Sequence, residues 1–116
     1  MRRRLLPILA AALLVAAPAA AHHGWSTYDA ATLVKLTAPI VESSYEFPHG
    51  GLVMEVEGKR WEIVLAPPSR MTARGLPAED IAKGKTVTVE GYASRVHDGE
   101  MRAERIHVDG RTVELR

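Results

Sequence analysis

The stretch 52–65 constrains the fold more than any other part of the sequence, because its side chains alternate with a period of two residues. Apolar residues occupy every second position from Leu52 to Val56 and again from Trp61 to Leu65, and the Gly58-Lys59 pair separates the two runs. Such alternation across a short turn is typical of a β-hairpin that buries one face. A hairpin of this kind needs further strands to cover it.

Four more stretches combine β-branched residues with alternation and predict strands. Pro39 interrupts the first of them. Because proline cannot donate a hydrogen bond to a neighbouring strand, we expect that strand to bend, bulge or lie at an edge there. The Asp109-Gly110 pair joins the last two stretches in the strongest short hairpin signal of the chain. The four stretches are 33–42, 86–92, 101–108 and 112–115.

Short helical segments are predicted between the third and fourth strands. Ser69 is suited to cap a helix that continues through Arg74, and Gly75 is suited to the left-handed conformation that ends it. The stretch Pro77 to Lys83 predicts another helical turn, which Gly84 ends. Six strands with a helix at this place predict an all-β fold, a small OB-like Greek-key barrel with one short helix. An SH3-like barrel and a small sandwich are the alternative folds.

The first 21 residues have the composition of a secretory signal peptide. Arg2 to Arg4 are basic, Leu5 to Ala17 form an apolar run of 13 residues, and Ala19 to Ala21 are small. This run is shorter than the roughly 20 residues that a membrane-spanning helix needs. We therefore expect an exported, periplasmic protein that has no membrane insertion after cleavage.

Length, charge and the absence of cysteine limit the domain organisation, the partners and the metal ligands that this chain can have. Removal of residues 1–21 leaves 95 residues, enough for an N-terminal arm at 22–32 and one barrel domain at 33–116. Three of the 15 basic residues and none of the 14 acidic residues lie in 1–21, so the remaining chain has a net charge of −2 with histidine neutral. This balance argues against nucleic acid as a partner. Without cysteine, any metal ligands must be nitrogen or oxygen atoms.

Two histidines follow directly on the predicted cleavage site. Cleavage after Ala21 makes His22 the first residue, so that its α-amine and imidazole chelate one metal ion with His23 adjacent as a further ligand. Cleavage after Ala19 places a histidine third, where the amine, two deprotonated amides and the imidazole form a square-planar set. Both geometries suit Cu(II), and they bind Ni(II) with lower affinity. The sequence therefore predicts a copper ligand in either cleavage register.

His49 is the candidate third ligand. It follows Pro48 in the turn-rich loop Tyr45–Gly51 between the first two strands, and in an OB-type barrel this loop flanks the usual ligand face. If the arm folds back to this loop, His22 and His49 form a T-shaped, three-nitrogen copper site. His97 is interpreted as a solvated turn residue, and His107 as a strand residue that faces solvent.

A second hypothesis is an envelope binding module that holds an oligosaccharide, a peptide or a small anion on the barrel face. Arg70 and Arg74 lie four residues apart on the predicted helix, a spacing at which two guanidinium groups can hold one carboxylate or phosphate. The sequence contains no nucleophile elbow, no glycine-rich phosphate loop and no HExxH pattern. It therefore predicts no catalytic residues and no enzymatic activity.

Several short motifs are distributed over nearly the whole chain after residue 21. They are His22-His23, Tyr28-Asp29, Leu36-Thr37, Pro48-His49, Trp61, Pro68-Ser69, Arg74-Gly75, Gly84, Val87-Thr88-Val89-Glu90-Gly91 and Asp109-Gly110. In these motifs the chain resembles a family of small exported bacterial proteins that is classed as a domain of unknown function. The resemblance implies a shared fold and a recurrent His-His and Pro-His pair, with no established activity.

The chain departs from that family pattern at two positions. An asparagine usually precedes the Pro-His pair, where this chain has Phe47, and a glycine usually follows the Leu-Thr pair, where this chain has Ala38. Phe47 removes a polar group beside His49. The leading hypothesis is a periplasmic, non-enzymatic copper-binding or copper-handling protein whose partner is a metal ion, with an envelope protein or a small anionic ligand as further candidate partners.

Overall fold

The computed structural model describes residues 24–116, and the predicted signal peptide, His22 and His23 lie outside this range. The described chain contains six strands, one α-helix and one 3-10 helix. The elements are β1 (Val34–Ser44), β2 (Gly51–Val56), β3 (Lys59–Val64), α1 (Pro68–Ala73), the 3-10 helix (Ala78–Ile81), β4 (Thr86–Ala93), β5 (Glu100–Val108) and β6 (Arg111–Glu114).

The strands form a closed barrel. They lie in the order β3-β2-β1-β4-β5-β6, and each neighbouring pair is antiparallel. A parallel pairing between β3 and the start of β5 closes five of them into a ring, while β6 extends the sheet beside β5. With α1 between β3 and β4, this is the topology of an OB-type barrel, so the predicted fold is confirmed.

The core fills the inside of the barrel. The alternating side chains of the hairpin behave as their pattern predicts: Leu52, Met54 and Ile63 are each at most 2 % exposed. Met71 of α1 and Leu76 after it are fully buried, so the segment between β3 and β4 packs onto the same core. The remaining core residues include Leu36, Ile40, Leu65, Ile81, Val87, Val89, Met101, Ile106, Val113 and Leu115.

The tight turns largely follow the sequence. Asp109 and Gly110 have φ angles of 50° and 75°, the left-handed pair that a two-residue hairpin turn requires. The hairpin of β2 and β3 has its turn at Glu57 and Gly58, whose φ angles are 51° and 78°. This turn lies one residue before the predicted Gly58-Lys59 pair. At Pro39, β1 continues and its register with β2 shifts just beyond, between Ile40 and Glu42. The predicted irregularity is therefore a bulge.

The predicted N-cap of the helix is wrong by two residues. The helix begins at Pro68 with Pro67 as the N-cap residue, and no side chain caps it. Proline is favoured at a helix start because its missing N–H needs no partner there and its φ angle is already helical. Ser69 therefore lies inside the helix and does not cap it, whereas Gly75 has the expected left-handed φ of 82°.

Gly91 in β4 lies where the backbone of β5 comes too close for a larger side chain. The register between β4 and β5 shifts at this residue, and a Cβ atom there would lie 2.0 Å from the carbonyl oxygen of Arg102 and 2.8 Å from Cα of Ala103. Because those atoms belong to the backbone of β5, the strands would have to separate. We expect Gly91→Ala to lower the free energy of unfolding by about 2 kcal/mol or more in urea titrations. The exposed Thr86→Ala, in the same strand, is the control, and an equal loss in both variants would contradict this account.

Candidate functional site

The arm that precedes β1 is hydrogen-bonded to the end of β4. Tyr28 forms an isolated bridge with Ser94, and the amide of Asp29 donates to the carbonyl of Ala93 at 2.9 Å. The amide of Arg95 donates to the carbonyl of Thr27 at 2.8 Å. Tyr28 is only 5 % exposed, so its side chain is part of the folded domain. The arm is thus fixed on the barrel from about residue 27 onwards.

Trp25 packs over the same region. Its ring centroid lies 6.2 Å from the rings of Tyr28 and Tyr92, and its edge contact with Tyr92 is T-shaped. The guanidinium carbons of Arg102 and Arg116 lie 4.5 Å and 4.7 Å from the indole centroid, within the range of cation–π attraction. These contacts hold the start of the described arm against β4 and β5.

A cleft of about 550 Å³ lies beside the arm. Its walls come from the arm, from the loop between β1 and β2, from the loop between β4 and β5, and from the face of β2 and β3. In OB-type barrels these two loops and this face are where ligands bind. The residues that carry candidate chemistry there are Tyr28, Glu42, His49, Glu62, His97, Glu100 and Arg102.

His49 lines this cleft, as the sequence predicts for a residue of the first loop. It is half-buried, and its loop is fixed by the next residue: the Gly50 amide donates to the Ala66 carbonyl and the Gly50 carbonyl accepts from the Leu65 amide, each at 2.9 Å. Phe47, which stands where the family pattern has asparagine, is 88 % exposed. It therefore contributes little to the packing that holds His49.

His97 lines the same cleft, and the sequence interpretation missed this role. The residue is exposed in the turn between β4 and β5, as predicted. Its neighbours Asp98 and Gly99 are typical of a solvated turn. The local sequence therefore gives no sign that this turn and the loop of His49 line one cleft. The signal available in the sequence was the OB-type prediction itself, because that fold places both loops at one ligand face.

The charges of the cleft favour a cation. Three carboxylates, Glu42, Glu62 and Glu100, line it together with one guanidinium, that of Arg102. Glu42 also lies 3.9 Å from Arg60 on the exposed surface. Arg102 is 7 % exposed, and burial lowers its pKa from the ordinary value. The acidic side chains therefore outnumber the basic one where a ligand would enter.

Arg70 and Arg74 lie elsewhere and contact the C-terminal backbone. Nη1 of Arg70 donates to the carbonyl of Leu115 at 3.0 Å. Nη1 of Arg74 donates to the carbonyls of Glu114 at 2.7 Å and Arg116 at 3.0 Å. The pair thus joins α1 to the end of the chain.

His107 is not among the residues that line this cleft. It lies on β5, where its Nε2 is 2.7 Å from Glu90 and its Nδ1 is 2.8 Å from the hydroxyl of Thr112. The hydrogen bond from His107 lowers the pKa of Glu90. Both ring nitrogens are engaged, so this histidine has a structural role on the barrel wall.

Within residues 24–116, no three or more histidine, aspartate and glutamate side chains are grouped so that they could hold a metal ion. In the same range, no helix has both the length and the apolar character to span a membrane.

Tyr28 gives the arm a measurable pH dependence. Its hydroxyl donates to Oε2 of Glu100 at 3.1 Å, and burial, with the nearby Glu100 carboxylate, raises the pKa of Tyr28 from 10.0 to about 12. An unfolded tyrosine ionises near pH 10. The stabilisation from Tyr28 is therefore fully present below pH 10 and is lost as the pH rises towards 12. We expect stability to fall more between pH 8 and pH 11 in the unmodified protein than in Tyr28→Phe, as measured by urea unfolding. Identical pH dependences would contradict this placement of Tyr28.

The comparison with known proteins agrees with the resemblance seen in the sequence. A family model described as a family of unknown function (DUF6152) matches residues 11–103. The match includes both cleft histidines and positions 22 and 23. No curated protein shows significant similarity to the chain. The chain belongs to this family of unknown function.

Proposed function

We propose that this is an exported, non-enzymatic copper-binding protein of the periplasm, in which the processed N-terminal histidines and His49 hold Cu(II). The observation that carries the proposal is the position of the arm: Thr27 and Tyr28 line the same cleft as His49. The segment that follows the predicted cleavage site therefore joins the barrel at the end of β4 and lines the same cleft as the third candidate ligand.

The length of the connection is short enough for the ligands to meet. His23 precedes Thr27 by four residues and His22 precedes it by five. An extended chain spans at most about 3.5 Å per residue, so these histidines lie within roughly 14 Å and 18 Å of Thr27 along the chain. Thr27 itself lines the cleft together with His49, which supports a shared site.

The available donors suit Cu(II). The chain has no thiol, so its ligands are imidazole nitrogens, an α-amine and carboxylate oxygens. Nitrogen donors of this kind bind Cu(II) most tightly among the divalent first-row ions. A free α-amine has a pKa of about 8, well below that of lysine, so the metal displaces its proton at modest cost near neutral pH.

The charged side chains of the cleft favour copper binding over the anion-binding alternative. Among residues 24–116, three carboxylates and one arginine line the cleft, and this favours a cation there. Arg70 and Arg74, the residues proposed to grip an anion, donate to backbone carbonyls at the end of the chain. A copper-binding function therefore fits the described side chains better than an anion site on α1.

The volume of the cleft supports a second candidate, an envelope module that binds a small oligosaccharide or peptide. A cleft of about 550 Å³ falls in the range of small-molecule sites, roughly 300–1,000 Å³, and exceeds what one ion needs. OB-type barrels bind such ligands on this face. This candidate predicts a ligand whose affinity for the protein does not depend on copper.

Titration of Cu(II) against a competing chelator tests the leading proposal. The protein should be recovered after export, with its first residue identified by intact mass. We expect His49→Ala to weaken Cu(II) binding by about tenfold or more, because even residues that only support a metal ligand contribute 10- to 100-fold. His107→Ala is the matched control, since both of its ring nitrogens already have partners. Thermal unfolding of each variant verifies that it is folded.

Equal affinity in the unmodified protein and in His49→Ala would remove His49 from the site and contradict the proposal. Equal weakening in His107→Ala would indicate a general effect of losing a histidine and would contradict it as well.

A further inference from the structure

We propose that the cleft docks an extended segment of a partner polypeptide, with a basic side chain between Glu62 and Glu100 and apolar side chains against the two flanking loops. This inference rests on the second candidate function, the envelope binding module, and names its ligand. It requires neither copper nor any residue before Gly24. The features that support it are two adjacent carboxylates, exposed apolar side chains at the rim and a partly apolar floor.

Two carboxylates lie side by side in the cleft. Glu62 of β3 and Glu100 of β5 are register partners in the parallel pairing that closes the barrel, and both line the cleft. Neighbouring strands are about 4.8 Å apart, and side chains that lie directly opposite each other project from the same face of the sheet. Like charges in this arrangement repel each other. A cation between the two carboxylates would relieve this repulsion.

The described chain does not place a cation between them. Oε2 of Glu100 accepts a hydrogen bond from the neutral hydroxyl of Tyr28 at 3.1 Å. Within residues 24–116, no lysine or arginine forms a salt bridge with Glu62 or Glu100, whereas Glu42 lies 3.9 Å from Arg60. Since these residues form no group that could hold a metal ion, an organic cation such as a lysine or arginine side chain suits the position better.

Exposed apolar side chains lie on both loops that flank the cleft. Phe47 is 88 % exposed in the loop between β1 and β2, and the next residue, Pro48, lines the cleft. Val96 is 66 % exposed in the loop between β4 and β5 and lines the cleft itself. A third exposed hydrophobic residue, Leu33, precedes β1 and does not line the cleft. A partner that covers Phe47 and Val96 would remove apolar surface from water.

The floor between the two loops is partly apolar. Val53 is the register partner of Glu62, and Val64 follows Glu62 by two residues, so all three side chains lie on the same face. Both valines line the cleft and are half-buried. Gly51, the register partner of Val64, also lines the cleft and adds no side chain to it. The main chain of a ligand can therefore approach the sheet closely at this point.

An extended polypeptide fits this combination of features better than a sugar or a small amine. Its side chains follow one another at intervals of about 3.3 Å, so one short segment can place a basic group at the carboxylates and apolar groups at the loops. A small amine leaves Phe47 and Val96 uncovered, and a neutral sugar supplies no charge to Glu62 and Glu100. An acidic segment would meet like charges, which disfavour a wrong partner.

Fluorescence anisotropy tests the inference with the exported protein and labelled pentapeptides, in the presence of EDTA so that copper plays no part. The probe has one lysine between two leucines and a glycine at each end, and the matched peptide has glutamate in place of the lysine. We expect the lysine peptide to bind about tenfold or more tightly than the glutamate peptide. Its affinity should fall as the salt concentration rises, because salt screens exposed charges.

Two variants with matched controls test the two kinds of contact. Glu62→Gln should weaken binding of the lysine peptide about threefold or more, because a partly exposed ion pair contributes modestly. Its control is Glu55→Gln, since Glu55 is exposed on β2 but does not line the cleft. Phe47→Ala should also weaken binding about threefold or more, with Leu33→Ala as its control. All four residues are exposed, so the variants should fold, and thermal unfolding checks this.

Equal affinity for the two peptides, or no binding of either, would overturn the inference. Equal weakening in Glu62→Gln and Glu55→Gln, or in Phe47→Ala and Leu33→Ala, would overturn it as well, because the effect would then not belong to the cleft.

A neutral trisaccharide of N-acetylglucosamine, titrated by calorimetry, separates this failure from that of the candidate function. If the trisaccharide binds and the peptides do not, the envelope module stands and its polypeptide ligand is overturned. If neither binds, the second candidate function fails together with the inference. The copper titrations of His49→Ala decide the leading proposal independently of both results.

Discussion

The parallel pairing between β3 and the start of β5 is the interaction on which the rest of the structure depends. Glu62, Ile63 and Val64 pair with Glu100, Met101 and Arg102, and the Glu62 amide donates to the Gly99 carbonyl at 2.7 Å. This contact joins strands that are 38 positions apart in sequence and closes the sheet into a barrel. Closure pairs the strand edges of β3 and β5 that an open sheet would leave exposed there.

The candidate site is a consequence of that closure. With β5 beside β3, the loop that ends at β5 lies next to the face of β2 and β3, and the loop of His49 ends where β2 begins. The arm then follows the end of β4 through Tyr28, and Trp25 covers Arg102 on β5. Three segments distant in sequence therefore meet at one cleft. The barrel needs no disulfide for this, since its core is packed from every strand and from α1.

Local features of the fold were predictable because neighbouring residues determine them. The alternation of Leu52 and Met54 indicated which face is buried, and Asp109-Gly110 has the left-handed pair that its composition favours. The predicted N-cap lies two residues late, because serine is a common cap at position 69 whereas Pro68 favours the first helical position more strongly here.

The site was less predictable than the fold, because it depends on contacts between distant segments. The place of His49 in the first loop predicts its position beside the cleft, whereas the neighbours Asp98-Gly99 of His97 indicate only an ordinary turn. Arg70 and Arg74 had the spacing of an anion grip, yet their partners are carbonyls of the last three residues. No local sequence pattern predicts that the last residues of the chain lie against α1.

We propose that a free N-terminal amine, the N-terminal histidines and His49 bind one copper ion together. The most direct measurement is electron paramagnetic resonance of Cu(II) bound to protein that begins at its natural processed residue and to protein that carries one extra methionine there. The account predicts weaker binding and a different spectrum for the extended protein, because the extra residue moves the amine away from the histidines. Equal affinity and identical spectra in the two proteins would contradict it.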